Sequence, residues 1–158
     1  MDEQISLPFV VEFDGEVVGQ LNVANILYGS VSSAVIGYWI APEVAGRGVM
    51  TTAVGLVCDY LFNVVGLHRI EIAIRPENSA SLRIVEKLGF RFEGLRERFI
   101  HINGAWRNHY VFALTHEEVP EGVLKRMLNG AVPAQNYPWR QNSIEIKHTE
   151  LNSDIRGS

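Results

Sequence analysis

The stretch "APEVAGRGVMTTAV", residues 41–54, sets Gly46 and Gly48 on either side of Arg47, just ahead of an apolar run. Glycine reaches left-handed backbone conformations and lets another molecule approach the main chain closely. The first N–H groups of a helix lack intrahelical acceptors and carry the positive end of the helix dipole. Together these features describe an anion site, most naturally for phosphate. A nucleotide P-loop needs lysine and then serine or threonine after its last glycine; here Gly48 is followed by Val49 and Met50. A dinucleotide fingerprint needs a third glycine and an acid at the end of the next strand. The chain offers G-R-G-V-M-T instead, and Glu71 lies inside its strand. A tight loop with no ligand is the plain structural alternative for an isolated glycine pair. A second group of polar residues, Asn78, Ser79 and Ser81 in "PENSASLRIVEKLGF", opens another helical stretch, where asparagine or serine serves as an N-cap.

The elements that must carry these residues follow from pattern. Residues 8–13, "VVGQLNVANIL" and "SAVIGYWIA" read as three strands joined by short links, the first two through the turn signal Asp14-Gly15. They suit an antiparallel meander. A helix from Val49 to Val65 with Gly66 as its stop follows, then the strand "HRIEIAI" and a helix carrying Leu82, Val85 and Leu88 that ends at Gly89. "FRFEGLRERFIHI" and "WRNHYVFAL" flank Asn103-Gly104, a strong hairpin signal. Strands on either side of the first helix should be parallel neighbours through a right-handed crossover. The fold class is therefore α/β, with a mixed and mostly antiparallel sheet.

At 158 residues, 47% apolar and 20% charged, the chain has the size and composition of one soluble domain. A net charge of −4 argues against broad nucleic-acid binding. No apolar run approaches membrane-spanning length, and a single cysteine, Cys58, excludes an internal disulfide. These features suit a cytoplasmic protein that engages neither membrane nor nucleic acid. His68, His101, His109, His116 and His148 show no tight ligand spacing, so no metal is expected. Residues 1–130 read as the folded domain and 131–158 as a polar tail, in which Tyr137, Trp139, Ile144 and Ile146 are too few for a core of their own.

Three motifs in order, "IGYWIAPEVAGRGVMTTAV", "RPENSASLRIVEKLGFRFEG" and "HINGAWRNHYVFAL", resemble the acyl-coenzyme A-binding core of the GNAT superfamily of N-acetyltransferases, closest to its RimJ/RimL branch. The resemblance covers roughly residues 9–117. It implies a sheet whose third strand, at Ile36–Ile40, splays from the strand at Arg69–Ile74 to admit the pantetheine arm. Main-chain groups of Tyr38, Trp39 and Ile40 would contact that arm. The backbone of Ala45, Gly46, Arg47, Gly48, Val49 and Met50, with Thr51 at the helix start, would hold the coenzyme pyrophosphate. Met50 departs from the family pattern by setting a long side chain where close approach is expected. Asn78 would bond the pantetheine or a bound water. The tyrosine that many members place further along that helix is replaced by Val85, and Ser81 takes its role of protonating the departing thiolate.

The resemblance implies acetyl transfer from acetyl-CoA, as cosubstrate, to a primary amine such as a small amine or a protein N-terminus. The amine must lose a proton before it attacks. The glutamate of this branch aligns with Ile100, so Glu71 and His101 stand as substitutes by type, with proton loss through water as a further route. The strand and helices that usually open such a domain are expected to be missing, leaving apolar surface near Phe9 and Val11 that favours a homodimer. The alternative function is a noncatalytic coenzyme A-binding or regulatory module.

Overall fold

The computed structural model describes residues 6–140. Strands β1 (Leu7–Phe13) and β2 (Glu16–Leu27) form a hairpin. Asp14 and Gly15 turn it with φ of 52° and 79°, the left-handed pair that a type I′ turn requires. Strand β3 (Ser33–Ile40) runs antiparallel to β2 along its whole length, out to the Gly19–Ile40 pair. A Cβ on Gly19 would stand 2.5 Å from the Trp39 carbonyl oxygen, so only glycine lets the two strands lie this close. A 3-10 turn at Pro42–Val44 leads to helix α1 (Val49–Tyr60), which widens into a π turn at Leu61–Val65 and stops at Gly66 in the left-handed region.

Strand β4 (Arg69–Ile74), helix α2 (Ser79–Leu88) and the hairpin of β5 (Arg91–Ile102) and β6 (Ala105–Thr115) complete the expected order. Asn103 and Gly104 make the second turn, at φ of 49° and 84°. The sheet runs β1-β2-β3-β4-β6-β5, mixed and mostly antiparallel, with β3 and β4 as its parallel pair. Those two strands pair only at Ser33–Arg69, Ala34–Ile70 and Val35–Glu71. Beyond that point β3 stays with β2 and β4 stays with β6 as far as Ile74–Tyr110, so the sheet opens between them. The splay implied by the family resemblance is present. Alternate residues of β4, Ile70, Ile72 and Ile74, are buried in the core with Val54 and Leu61 of the α1 segment and Leu82 and Val85 of α2. Among the described residues no helix is long and apolar enough to cross a membrane.

Two features were not anticipated from sequence. A short helix, α3 (Val123–Leu128), lies against α1, and its first N–H groups are capped by the Asp59 carboxylate, 2.7 Å from the Val123 nitrogen. The described part of the segment expected to be a tail, residues 131–140, packs on the domain instead. Tyr137 is buried and its hydroxyl donates to the Phe90 carbonyl at 2.7 Å. Trp139 stacks on Tyr137 and Tyr110, and its indole N–H donates to Glu86 at 2.6 Å. These aromatics need no core of their own because they complete the one beside α2. Ile144 and Ile146 lie outside the described residues.

Tyr137→Ala should therefore destabilise the chain by about 3 kcal/mol and Tyr137→Phe by about 1 kcal/mol, read from urea midpoints. A midpoint unchanged on ending the chain at Gly130 would show that the segment adds nothing to the fold.

Candidate functional site

Two clefts meet α2. The first lies at the glycine loop and is lined by Ile40, Gly46, Gly48 and Thr51 on one side and by Ala80, Arg83 and Lys87 on the other. Gly48 is the N-cap of α1 at φ 78°, with no side chain capping the helix. Its carbonyl accepts from the Thr52 backbone and hydroxyl at 3.0 Å and 2.9 Å. Ala45 and Arg47 spend their N–H groups on Pro42 and Val44. Among the described residues, the N–H groups of Gly46, Gly48, Val49, Met50 and Thr51 have no protein acceptor. A Cβ built on Gly46 or Gly48 meets nothing within 4 Å, so an anion can approach the main chain there. Arg83 and Lys87 add positive charge across the cleft.

The second cleft is the splay itself, about 210 Å³, lined by Ile36, Gly37 and Tyr38 of β3, Ile72–Ile74 of β4, and Arg75, Asn78, Ser81 and His109. Main-chain groups on the facing edges of β3 and β4 have no sheet partner beyond Val35 and Glu71, and buried backbone groups of this kind call for a ligand or water. The Nε of Arg75 is likewise buried without a partner. Asn78 caps α2 by accepting from the Ser81 N–H at 3.2 Å. The Tyr38 hydroxyl crosses the cleft and donates to the Ser81 carbonyl at 3.3 Å. Burial pushes the Tyr38 phenol above its ordinary range despite that contact, so it stays protonated and a donor. The arrangement can hold an extended, hydrogen-bonding arm in the splay and a phosphate at the loop.

The structure brings most of the sequence-predicted residues to these clefts. Tyr38, Asn78 and Ser81 line the splay, while Ile40, Ala45, Gly46, Gly48, Val49, Met50 and Thr51 line the loop. Met50 does not obstruct the cradle: its side chain is 2% exposed and turns into the core against Gly19. Trp39 sits between Tyr38 and Ile40 with its ring exposed on the other face, leaving only its main chain toward the opening. Arg47 lies on the opposite side of the loop beside Val49, Thr52 and Leu56. Val85 is fully buried in the core, so the position of the absent family tyrosine packs as an apolar residue.

Neither candidate base from the sequence reaches the splay. Glu71 accepts from Arg69 at 2.9 Å in a chain of ion pairs that continues through Glu93, Arg91 and Glu118. His101 sits near the hairpin tip, edge-on to Trp106. Arg83, Lys87 and His109 were missed. The stripe Ala80, Arg83, Ile84 and Lys87 has the spacing of one helix face, and that periodicity held a legible signal for the first two. His109 became a site residue only through the pairing of β6 with β4.

An opened parallel pair with an uncapped, glycine-rich helix start at its mouth is the arrangement that the family resemblance implies. Residues 2–91 match the family model described as Acetyltransferase (GNAT) domain, and the chain belongs to that family. The solved structure "Mycobacterium smegmatis RimJ in complex with CoA-disulfide" is 44% identical, with a TM-score of 0.76, covering 80% of this chain and 61% of that one. The probable N-acetyltransferase YjcK of Bacillus subtilis is 37% identical over 74% of this chain and 65% of its own. The [ribosomal protein uS5]-alanine N-acetyltransferase of Escherichia coli is 33% identical over 63% of this chain and 52% of its own. The chain thus spans between half and two thirds of the length of these relatives.

Gly48→Val would place a β-branched side chain at a left-handed φ and project it into the open cradle. Calorimetric titration with acetyl-CoA should then show affinity reduced on the order of tenfold or more in a folded variant. Equal affinity would remove the loop from coenzyme binding.

Proposed function

We propose that this chain transfers the acetyl group of acetyl-CoA to a primary amine, with a protein N-terminus as the acceptor class, by direct attack in a ternary complex. The observation that carries the reading is the splay, whose unpaired main chain runs between an anion-holding helix start and the N-terminus of α2. In this reading the backbone of Tyr38, Trp39 and Ile40 holds the pantetheine arm. The free N–H groups of Gly46, Gly48, Val49, Met50 and Thr51 take the pyrophosphate, and Arg83 and Lys87 balance its charge. The E. coli relative is named for acting on an alanine of a ribosomal protein, which supports an α-amino group as acceptor.

Rate enhancement then comes mostly from holding amine and thioester carbon together, with main-chain donors polarising the carbonyl. Asn78 fixes the first turn of α2 and so the place of Ser81. The Ser81 hydroxyl passes a proton to the coenzyme A thiolate as the carbon–sulfur bond breaks. Self-association through the apolar groove between β1 and α1, flanked by exposed Val10, Leu56 and Tyr60, belongs to the same proposal. A dimer by light scattering supports it, and a monomer at assay concentration removes it.

The test is turnover with alanine-initiated peptides and small amines. Ser81→Ala should lower kcat on the order of a hundredfold while KM for acetyl-CoA changes little. Wild-type rates in that variant would exclude Ser81 from proton transfer. Tight acetyl-CoA binding with no turnover on any amine would leave the noncatalytic coenzyme-binding module.

A further inference from the structure

The splay reaches both faces of the sheet, and its second face carries an imidazole that the coenzyme side leaves unused. Successive side chains of a strand point to opposite faces. Ile72 and Ile74 are buried toward the helices, so Ala73 and Arg75 fall on the opposite face. Ile74 is paired with Tyr110, which places the neighbouring His109 on the face of Ala73. His109 is 4% exposed and lines the same cleft as Ser81 and Tyr38, which enter from the helix side.

The ring is held in one tautomer. Its Nδ1 lies 3.0 Å from the Arg107 carbonyl oxygen, which can only accept, so the ring proton sits on Nδ1. In the neutral ring Nε2 then carries the lone pair, and it has no hydrogen-bond partner among the described residues. Phe99 of β5 meets the ring edge-on with centroids 6.1 Å apart. The ionisable groups around it are Arg75 at the end of β4, Glu77 paired to that guanidinium at 2.6 Å and also near Arg107, Arg96 opposite on β5, Arg107 on its own strand and Tyr38 of β3. The first turn of α2 contributes Asn78 and Ser81, which carry no charge, and no carboxylate lines this cleft among the described residues.

We propose that Nε2 of His109 is the general base that deprotonates the acceptor ammonium, a role resting on the acetyl-transfer reading above. The ammonium gives one proton to Nε2, leaving a neutral amine and an imidazolium. The amine nitrogen forms a bond to the thioester carbon. The carbon–sulfur bond then breaks with its electron pair going to sulfur, and the second amine proton passes to the thiolate by way of Ser81. The imidazolium releases its proton to solvent, so the products are amide, coenzyme A thiol and one proton. The donor occupies the helix side of the sheet and the amine arrives from the other, which lets both reach the carbonyl carbon without competing for space.

His109→Asn tests this, because the shorter amide keeps an N–H for the Arg107 carbonyl but has no basic nitrogen. The readouts are the pH profile of kcat/KM for the amine, acetyl-CoA affinity by calorimetry and the thermal midpoint, on the full chain. Turnover at neutral pH should fall about a hundredfold, and the limb along which the wild-type rate rises with pH should vanish. Affinity and midpoint should hold. If the Asn variant unfolds, His109→Gln carries the same readouts. Wild-type rates and profile in the folded variant overturn the role of His109 alone. A slower variant that retains the limb overturns it too, since that pattern marks a structural effect. A wild type that binds acetyl-CoA but acetylates no amine overturns the acetyl-transfer reading, and the base with it.

Discussion

The parting of β3 from β4 after the Val35–Glu71 pair is the constraint from which the rest of the molecule follows. Leaving buried main-chain groups unpaired is costly, and a sheet closes wherever it can. This one is kept open because each strand is committed elsewhere. Gly19 allows β2 to sit directly against the end of β3, and β6 follows β4 to its last residue. The gap is then spanned by side chain, with the Tyr38 phenol reaching the Ser81 carbonyl of α2. The loop after β3 and the helix after β4 are carried to the two sides of one opening, which is why Gly48 and Ser81, far apart in the chain, come to serve one cleft system.

Helix α2 is fixed at its far end by residues outside the sheet. The Arg126 guanidinium donates to the Leu88 carbonyl at 2.8 Å, and the Gln135 amide donates to the Gly89 carbonyl at 3.0 Å. Burial holds Arg126 below the usual arginine range, and its carbonyl partners stand where a carboxylate would otherwise be expected. Glu86 binds both Trp139 and Arg140. Packing that looks remote from the cleft thus sets the direction of the helix that lines it. On the opposite face, the hydrogen bond from Arg69 first, and that from Arg91 second, hold the Glu93 carboxyl below its ordinary range, against partial burial. Glu71 shares Arg69 with Glu93 and so belongs to this structural network.

Local signals were legible from sequence wherever one residue determines one conformation. The pairs Asp14-Gly15 and Asn103-Gly104 announce their hairpins, Gly66 and Gly89 end their helices, and Asn78 caps α2. The glycine loop could be read because left-handed φ and an uncapped helix start are properties of the local chain. What depends on distant pairing was not legible. Helix α3 takes its cap from Asp59, dozens of residues earlier. Tyr137 and Trp139 look like scattered aromatics until Phe90, Tyr110 and Phe112 surround them. Nothing local in the sequence separates His109 from His68, His101 and His116; the register of β6 on β4 sets it beside the opening. Met50 breaks the family pattern in sequence, and in the structure its side chain is received by the core beside Gly19.

The central claim is that the free main-chain groups of the loop and the splay are the coenzyme site. Amide hydrogen exchange with and without acetyl-CoA measures those groups directly, because a bonded N–H exchanges more slowly. The account predicts increased protection at Gly46, at Gly48–Thr51 and along Ile36–Ile40, with β1 and the β5–β6 hairpin tip unchanged. Protection elsewhere, with residues 36–51 exchanging as freely as in the unliganded chain, would contradict it.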